Sequence, residues 1–165
     1  MTLIASETYL QMSFDGPDRE YVEGELRERG TPTYAHGRIQ ALIGFHFDVL
    51  REKHPVFAAC GVRLALHPNH VYRIPDVSVF AGREPTEAIP DTPPLVAIEI
   101  VSPDDRTSET LTKFEEYRNW GVTHIWLIDP LEKTFSIYDA TGLHPVNTLD
   151  LPEYLFSITL ADLGL

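Results

Sequence analysis

The amino-acid sequence predicts an α/β protein, α+β in the sense of a mixed sheet flanked by helices, and three observations carry that expectation. Short apolar runs rich in β-branched residues, Val77-Ser78-Val79-Phe80 and Leu95-Val96-Ala97-Ile98-Glu99-Ile100-Val101, are bounded by Pro and Asp in the manner of buried strands. Apolar positions Ile39, Leu42, Ile43, Val49 and Leu50 recur at helical spacing. The segment from Val101 to His124 has the length of a helical crossover, which makes its two flanking strands parallel and the connection right-handed.

In chain order, Ser6 caps a short helix to Met12, and Asp15-Gly16-Pro17-Asp18 turns the chain. Glu20 to Arg29 alternates around Glu23-Gly24 and reads as two short strands or a hairpin. Thr33 caps a long helix that ends near Lys53, before Pro55. Phe57 to Leu66 and Val71 to Phe80 form two strands joined by the turn His67-Pro68-Asn69-His70. Gly82 to Pro94 is a surface loop, followed by a strand from Leu95 to Val101. Thr107 or Ser108 caps a helix to Asn119, with Gly121 as its left-handed terminator. His124 to Ile128 and Thr134 to Tyr138 are strands around the turn Asp129-Pro130-Leu131-Glu132. Leu155 to Leu163 adds a strand and a last turn, and Trp120, Trp126 and Tyr117 read as core aromatics.

A chain of 165 residues suits one domain, with 1–32 as an N-terminal extension carrying the short hairpin, 33–130 as the core and 131–165 as C-terminal strands and tail. No apolar run approaches the roughly 20 residues that span a bilayer, so no membrane partner is expected. Met1-Thr2-Leu3-Ile4 lacks the features of a signal segment, and a cytoplasmic location is the expectation. The lone Cys60 excludes an intramolecular disulfide and is expected to pack as a small hydrophobe. A net charge of −12 opposes broad non-specific binding to nucleic acid. Residues 31–75 differ: Arg38, Arg51, Lys53, Arg63 and Arg73 face only Asp48 and Glu52, and five of the seven histidines lie there. That side either admits a polyanion or is plain solvated surface.

Two acids stand inside the predicted strands. Burying a carboxylate costs several kcal/mol unless something compensates it, so Asp76 and Glu99 need an ion pair, hydrogen bonds or a bound cation.

The order of helix, three strands, helix and strand, with Pro75-Asp76 on the second core strand and Glu99 on the third, resembles the PD-(D/E)xK nuclease fold, that is, a restriction-endonuclease-like αβββαβ core. The similarity spreads over most of the chain. Arg19-Glu20-Tyr21-Val22-Glu23-Gly24-Glu25-Leu26, His36 with Gln40, Arg73 to Val79, Glu99-Ile100-Val101-Ser102-Pro103, Lys113 with Tyr117, and Gly121 to Pro130 resemble the family of putative restriction endonucleases. The resemblance implies hydrolysis of nucleic-acid phosphodiesters, DNA above all, assisted by Mg²⁺ or Mn²⁺. Asp76 and Glu99 are then the metal ligands, hard oxygens of the kind Mg²⁺ prefers, with the backbone carbonyl of Ile100 as a third. The nuclease pattern has a lysine two residues after the glutamate. Val101 stands there, and Lys113 on the next helix is the substitute that reaches back across the strand end. His36 and Glu20 are further candidates for the cleft rim.

Each residue also has a structural role open to it. Asp76 can hydrogen-bond a turn; Lys113 can pair with Glu109 or Glu116 on its own helix; His36 and Glu20 can be structural; Asp104-Asp105 can be a solvated helix entry. The alternatives to a nuclease are a nuclease-fold binding or assembly module that cleaves nothing, and a hydrolase of small phosphoesters. A homodimer through the apolar tail at Tyr154, Leu155 and Phe156 is a further expectation.

Overall fold

The computed structural model describes residues 3–165. Met1 and Thr2, part of the stretch read for a signal, lie outside the described residues. A six-stranded mixed sheet forms the centre. In chain order its members are β3 (Val56–Cys60), β6 (Val77–Ala81), β7 (Val96–Ile100), β8 (His124–Asp129), β9 (Thr134–Asp139) and β10 (Gly142–Val146). Their spatial order is β10-β9-β8-β7-β6-β3. Only β7 and β8 run parallel, with Glu99 opposite Leu127, and α3 (Thr107–Trp120) is the crossover between them. This is the expected mixed sheet flanked by helices.

Side-chain alternation assigns the two faces. Val96, Ile98 and Ile100 point to one core with Ile39, Ile43 and Phe47 of α2 (Tyr34–Arg51) and with Trp126. Ala97 points to the other, with Phe114 and Tyr117 of α3. Glu99, in phase with Ala97, therefore emerges on the α3 side. Thr33 caps α2 by accepting from the His36 amide at 3.2 Å, as its position predicts. Gly121 ends α3 at φ 113°, which a residue with a Cβ would resist.

The expected long hairpin is broken in two places. Its first strand stops at Cys60, where Gly61 takes φ 61°, and resumes as β4 (Leu64–His67). The second starts as β5 (Val71–Arg73), stops at Ile74-Pro75-Asp76 and resumes as β6. Pro75 has no N–H to give a ladder, which favours the break. The hairpin tip leaves the central sheet and joins β1 (Glu20–Val22) and β2 (Glu25–Arg27) in a smaller sheet ordered β2-β1-β5-β4. Asp76 stands at the corner between the two sheets.

Other expectations are corrected locally. Ser6 opens α1 (Ser6–Gln11) without capping it, because its hydroxyl donates to Asn69 Oδ1. Neither Thr107 nor Ser108 caps α3; Arg106 holds that place with no side-chain cap. Asp104 and Asp105 are both exposed, as expected of a solvated helix entry, and Asp105 also accepts from the Ser102 amide at 2.7 Å within the turn. Cys60 is exposed rather than packed inside. The tail is a hairpin of β11 (Thr148–Leu151) and β12 (Phe156–Thr159). In it Tyr154 and Phe156 pack on the core, and only Leu155, 98% exposed, projects. Among the described residues no helix is long and apolar enough to cross a membrane.

Candidate functional site

The corner of Asp76, the end of β7, the inner face of α3 and the start of α2 meet around a cleft of about 530 Å³. Glu99 reaches it from the α3 side of β7. On α3, Lys113 and Tyr117 lie one helical turn apart on the same face. Tyr117 donates its hydroxyl to Glu99 Oε1 at 2.7 Å, and Lys113 Nζ lies 3.3 Å from the same oxygen. The Lys113 ammonium also meets Glu20 Oε1 at 3.1 Å. Its own-helix neighbours are not its partners: Glu109 lies with Arg106, and Glu116 is held by Arg73 through two contacts of 2.6 and 2.9 Å. Arg73 spans the wall, because its Nη1 also donates to Glu20 Oε2 at 2.8 Å. Glu20 is further tied by the Ile74 amide at 2.9 Å.

Asp76 is enclosed differently. Its Oδ2 accepts from the Ile100 amide at 2.7 Å and lies 3.1 Å from His36 Nε2. Its Oδ1 meets Arg29 Nη2 at 2.7 Å. Gln40, one turn beyond His36 on α2, donates to the Asp76 carbonyl at 2.6 Å and so pins the corner. Asp76, Glu99, Lys113, His36 and Glu20 thus line one cleft, together with Ile100. Glu20 comes from the stretch expected to be an N-terminal extension.

The electrostatics follow from this arrangement. Glu20, Asp76 and Glu116 face three cations, Lys113, Arg73 and Arg29, which leaves Glu99 as the surplus acid. Burial pushes the Glu99 carboxyl up to about 7; the charges of Asp76 and Glu20 add to the rise, while Lys113 and the Tyr117 hydroxyl oppose it. Burial also works against the Glu20 charge, yet Lys113, Arg73 and the Ile74 amide hold it below the ordinary carboxylate range. Glu20 and Glu99 outweigh the burial of Lys113 and raise its pKa, so it stays an ammonium at neutral pH.

Whether a divalent ion suits this donor set is decided by the acids. No hydrogen bond is made by Glu99 Oε2 among the described residues, and Glu99 lines the cleft. Among those residues no three His, Cys, Asp or Glu side chains are gathered as a ready cage. A pair of carboxylates fits Mg²⁺, which keeps several waters and takes the rest of its shell from substrate phosphates.

Four participants are given no place in the site by the sequence, although Arg73 and Tyr117 stand among the residues that carry the family resemblance. Tyr117 reads as a core aromatic, although its place four residues after Lys113 signals a shared face. Arg29, Arg73 and Glu116 give no local signal, since their partners are distant in the chain. The basic stretch 31–75 is only partly neutralised: Arg63 is bound to Asp18, Arg73 to Glu20 and Glu116, and Arg51 lies beside Asp48, whereas Arg38 and Lys53 are exposed with no ion pair among the described residues.

The profile of a family described as putative restriction endonuclease, Uma2, matches residues 6–162. A crystal structure of a putative nuclease belonging to DUF820, from Anabaena variabilis ATCC 29413, superposes with a TM-score of 0.83 at 23% identity, covering 97% of each chain. At that identity the likeness is one of fold. No curated protein matches the chain.

Proposed function

Since the chain belongs to the Uma2 family of putative restriction endonucleases, we propose that it is a metal-dependent nuclease that hydrolyses phosphodiester bonds of nucleic acid, with DNA as substrate. The observation that carries the reading is the convergence of Glu99, Asp76 and Lys113 on one cleft, with Glu99 in electrostatic excess. Asp76 and Glu99 would hold Mg²⁺ or Mn²⁺, with the Ile100 carbonyl as a backbone ligand. When bound, such an ion lowers the pKa of a water and neutralises charge gathering on the phosphate oxygens.

The remaining chemistry belongs to the side chains. Lys113, locked as an ammonium between Glu20 and Glu99, is no general base. It orients a water and stabilises negative charge in the transition state. Tyr117 and Glu20 hold Lys113 and Glu99 in register, and Arg73 fastens Glu20 to α3 through Glu116. His36 and the Ile100 amide fix the rotamer of Asp76.

A second reading, a nuclease fold that binds without cleaving, is favoured by one observation: both oxygens of Asp76 already have partners. A cleavage screen separates the two. Wild-type protein and Asp76→Ala, the latter checked for folding by circular dichroism, are incubated with plasmid, single-stranded DNA and RNA in Mg²⁺ or Mn²⁺. Cleavage of DNA by wild type alone is the expected result. No cleavage by either protein, or equal cleavage by both, overturns the nuclease reading.

A further inference from the structure

Arg29 lies in the connection between β2 and α2, far in sequence from the acid it contacts. Its guanidinium meets Asp76 Oδ1 at 2.7 Å; the Arg29 side chain is 20% exposed and that of Asp76 is 6% exposed. The other oxygen of Asp76 is engaged by His36 and the Ile100 amide, both on the rigid frame of α2 and β7. Oδ1 is therefore the oxygen through which Asp76 can meet an incoming cation, and Arg29 stands on it.

We propose that Arg29 is a built-in cation that occupies Asp76 in the metal-free protein and must leave that carboxylate before a divalent ion can bind there. The inference rests on the metal-site reading above and adds how the site is kept until the ion arrives. The pair of a guanidinium and a divalent ion on one carboxylate oxygen is opposed by like-charge repulsion, which is strong where solvent is scarce. Without a counter-ion, however, Asp76 would be a buried charge left uncompensated on that side. Arg29 meets that need.

The connection is built for the task. It forms no helix or strand between Glu28 and Thr33, so a swing of Arg29 breaks no ladder. It is held close by Gly30, where a Cβ would come 2.8 Å from Asp105 Oδ1 and 2.9 Å from Ser102 Cβ. Only glycine permits that approach to the turn after β7, and the approach aims Arg29 at Asp76. Arg29 itself lines the cleft.

The test is calorimetric titration with Mn²⁺ alone, without nucleic acid, on wild type, Arg29→Ala, Arg29→Lys and Asp76→Ala, paired with thermal melts with and without Mn²⁺. Arg29→Ala is expected to bind Mn²⁺ at least about tenfold tighter than wild type and to gain more in melting temperature from the ion. Arg29→Lys, which keeps the charge but loses the guanidinium, is expected to fall between, and it carries the comparison should the alanine variant not fold. Equal or weaker binding by the Arg29 variants, with binding still abolished in Asp76→Ala, overturns the inference and leaves the metal site standing. Absence of Asp76-dependent binding in wild type and both Arg29 variants overturns both.

Discussion

Replacing Glu99 by Gln removes the buried acid of the cleft that must share its cation, Lys113, with Glu20, while keeping its shape. The amide oxygen can still accept from Tyr117 and Lys113, which contact the same carboxylate oxygen, Oε1, in the wild type. The change is therefore one of charge. The Glu99 carboxyl is raised from 4.5 to about 7, so the folded chain holds this proton to higher pH than the unfolded chain does. Folding stability from this group is complete below about pH 4.5 and is lost as pH rises through 7. At about 1.4 kcal/mol per unit, the rise from 4.5 to about 7 corresponds to a loss of about 3 kcal/mol when Glu99 is fully ionised. Urea unfolding of both proteins across pH, followed by the fluorescence of the buried Trp126, measures it. The unfolding free energy of Glu99→Gln minus that of wild type should grow by about 2 to 3 kcal/mol between about pH 5 and pH 8.5. Parallel curves would mean that Glu99 ionises as an ordinary carboxylate, and a difference that shrinks with pH would mean that its charge is stabilised. Either refutes the surplus-acid argument.

Other perturbations probe the same network. Lys113→Met strands Glu20 and Glu99 against each other and is expected to cost about 3 kcal/mol in urea unfolding and to abolish cleavage; a stable, active variant would place Lys113 outside the site. Tyr117→Phe removes a hydrogen bond to the charged form of Glu99. It should cost about 1 to 3 kcal/mol and push the Glu99 titration above its wild-type position, which the same pH series reads; an unshifted titration contradicts the contact. If two copies pair through the tail, light scattering gives a dimer that Leu155→Asp converts to monomer. A wild-type monomer at high concentration removes the tail from consideration.

Much of this organisation is local and therefore readable from residue order. Thr33 and Gly121 announce the ends of their helices because capping and left-handed geometry depend on one residue and its neighbours. The β-branched runs around Val77 and Ile98 announce strands, and the acids within them demand partners on energetic grounds alone. The edge strand β10 is missed because Pro145 and Gly142 interrupt its pattern, and an edge tolerates a proline that a central strand would not. The exposure of Cys60 is missed because the strand it ends breaks at Gly61, which short-range pattern does not reveal.

What residue order determined by itself was most of the elements, their sequence and the two acids that need an explanation. Which cation answers which acid was decided by tertiary structure. Arg29 and Asp76 are 47 residues apart, Arg73 and Glu20 are 53, and Arg73 and Glu116 are 43. A charge carries no local preference for a partner at such separations; the partner is chosen when two sheets fold about the corner at Pro75 and α3 crosses over β7. The same folding left Glu99 to share Lys113 with Glu20, and that imbalance, created by packing, is what the proposed metal ion would relieve.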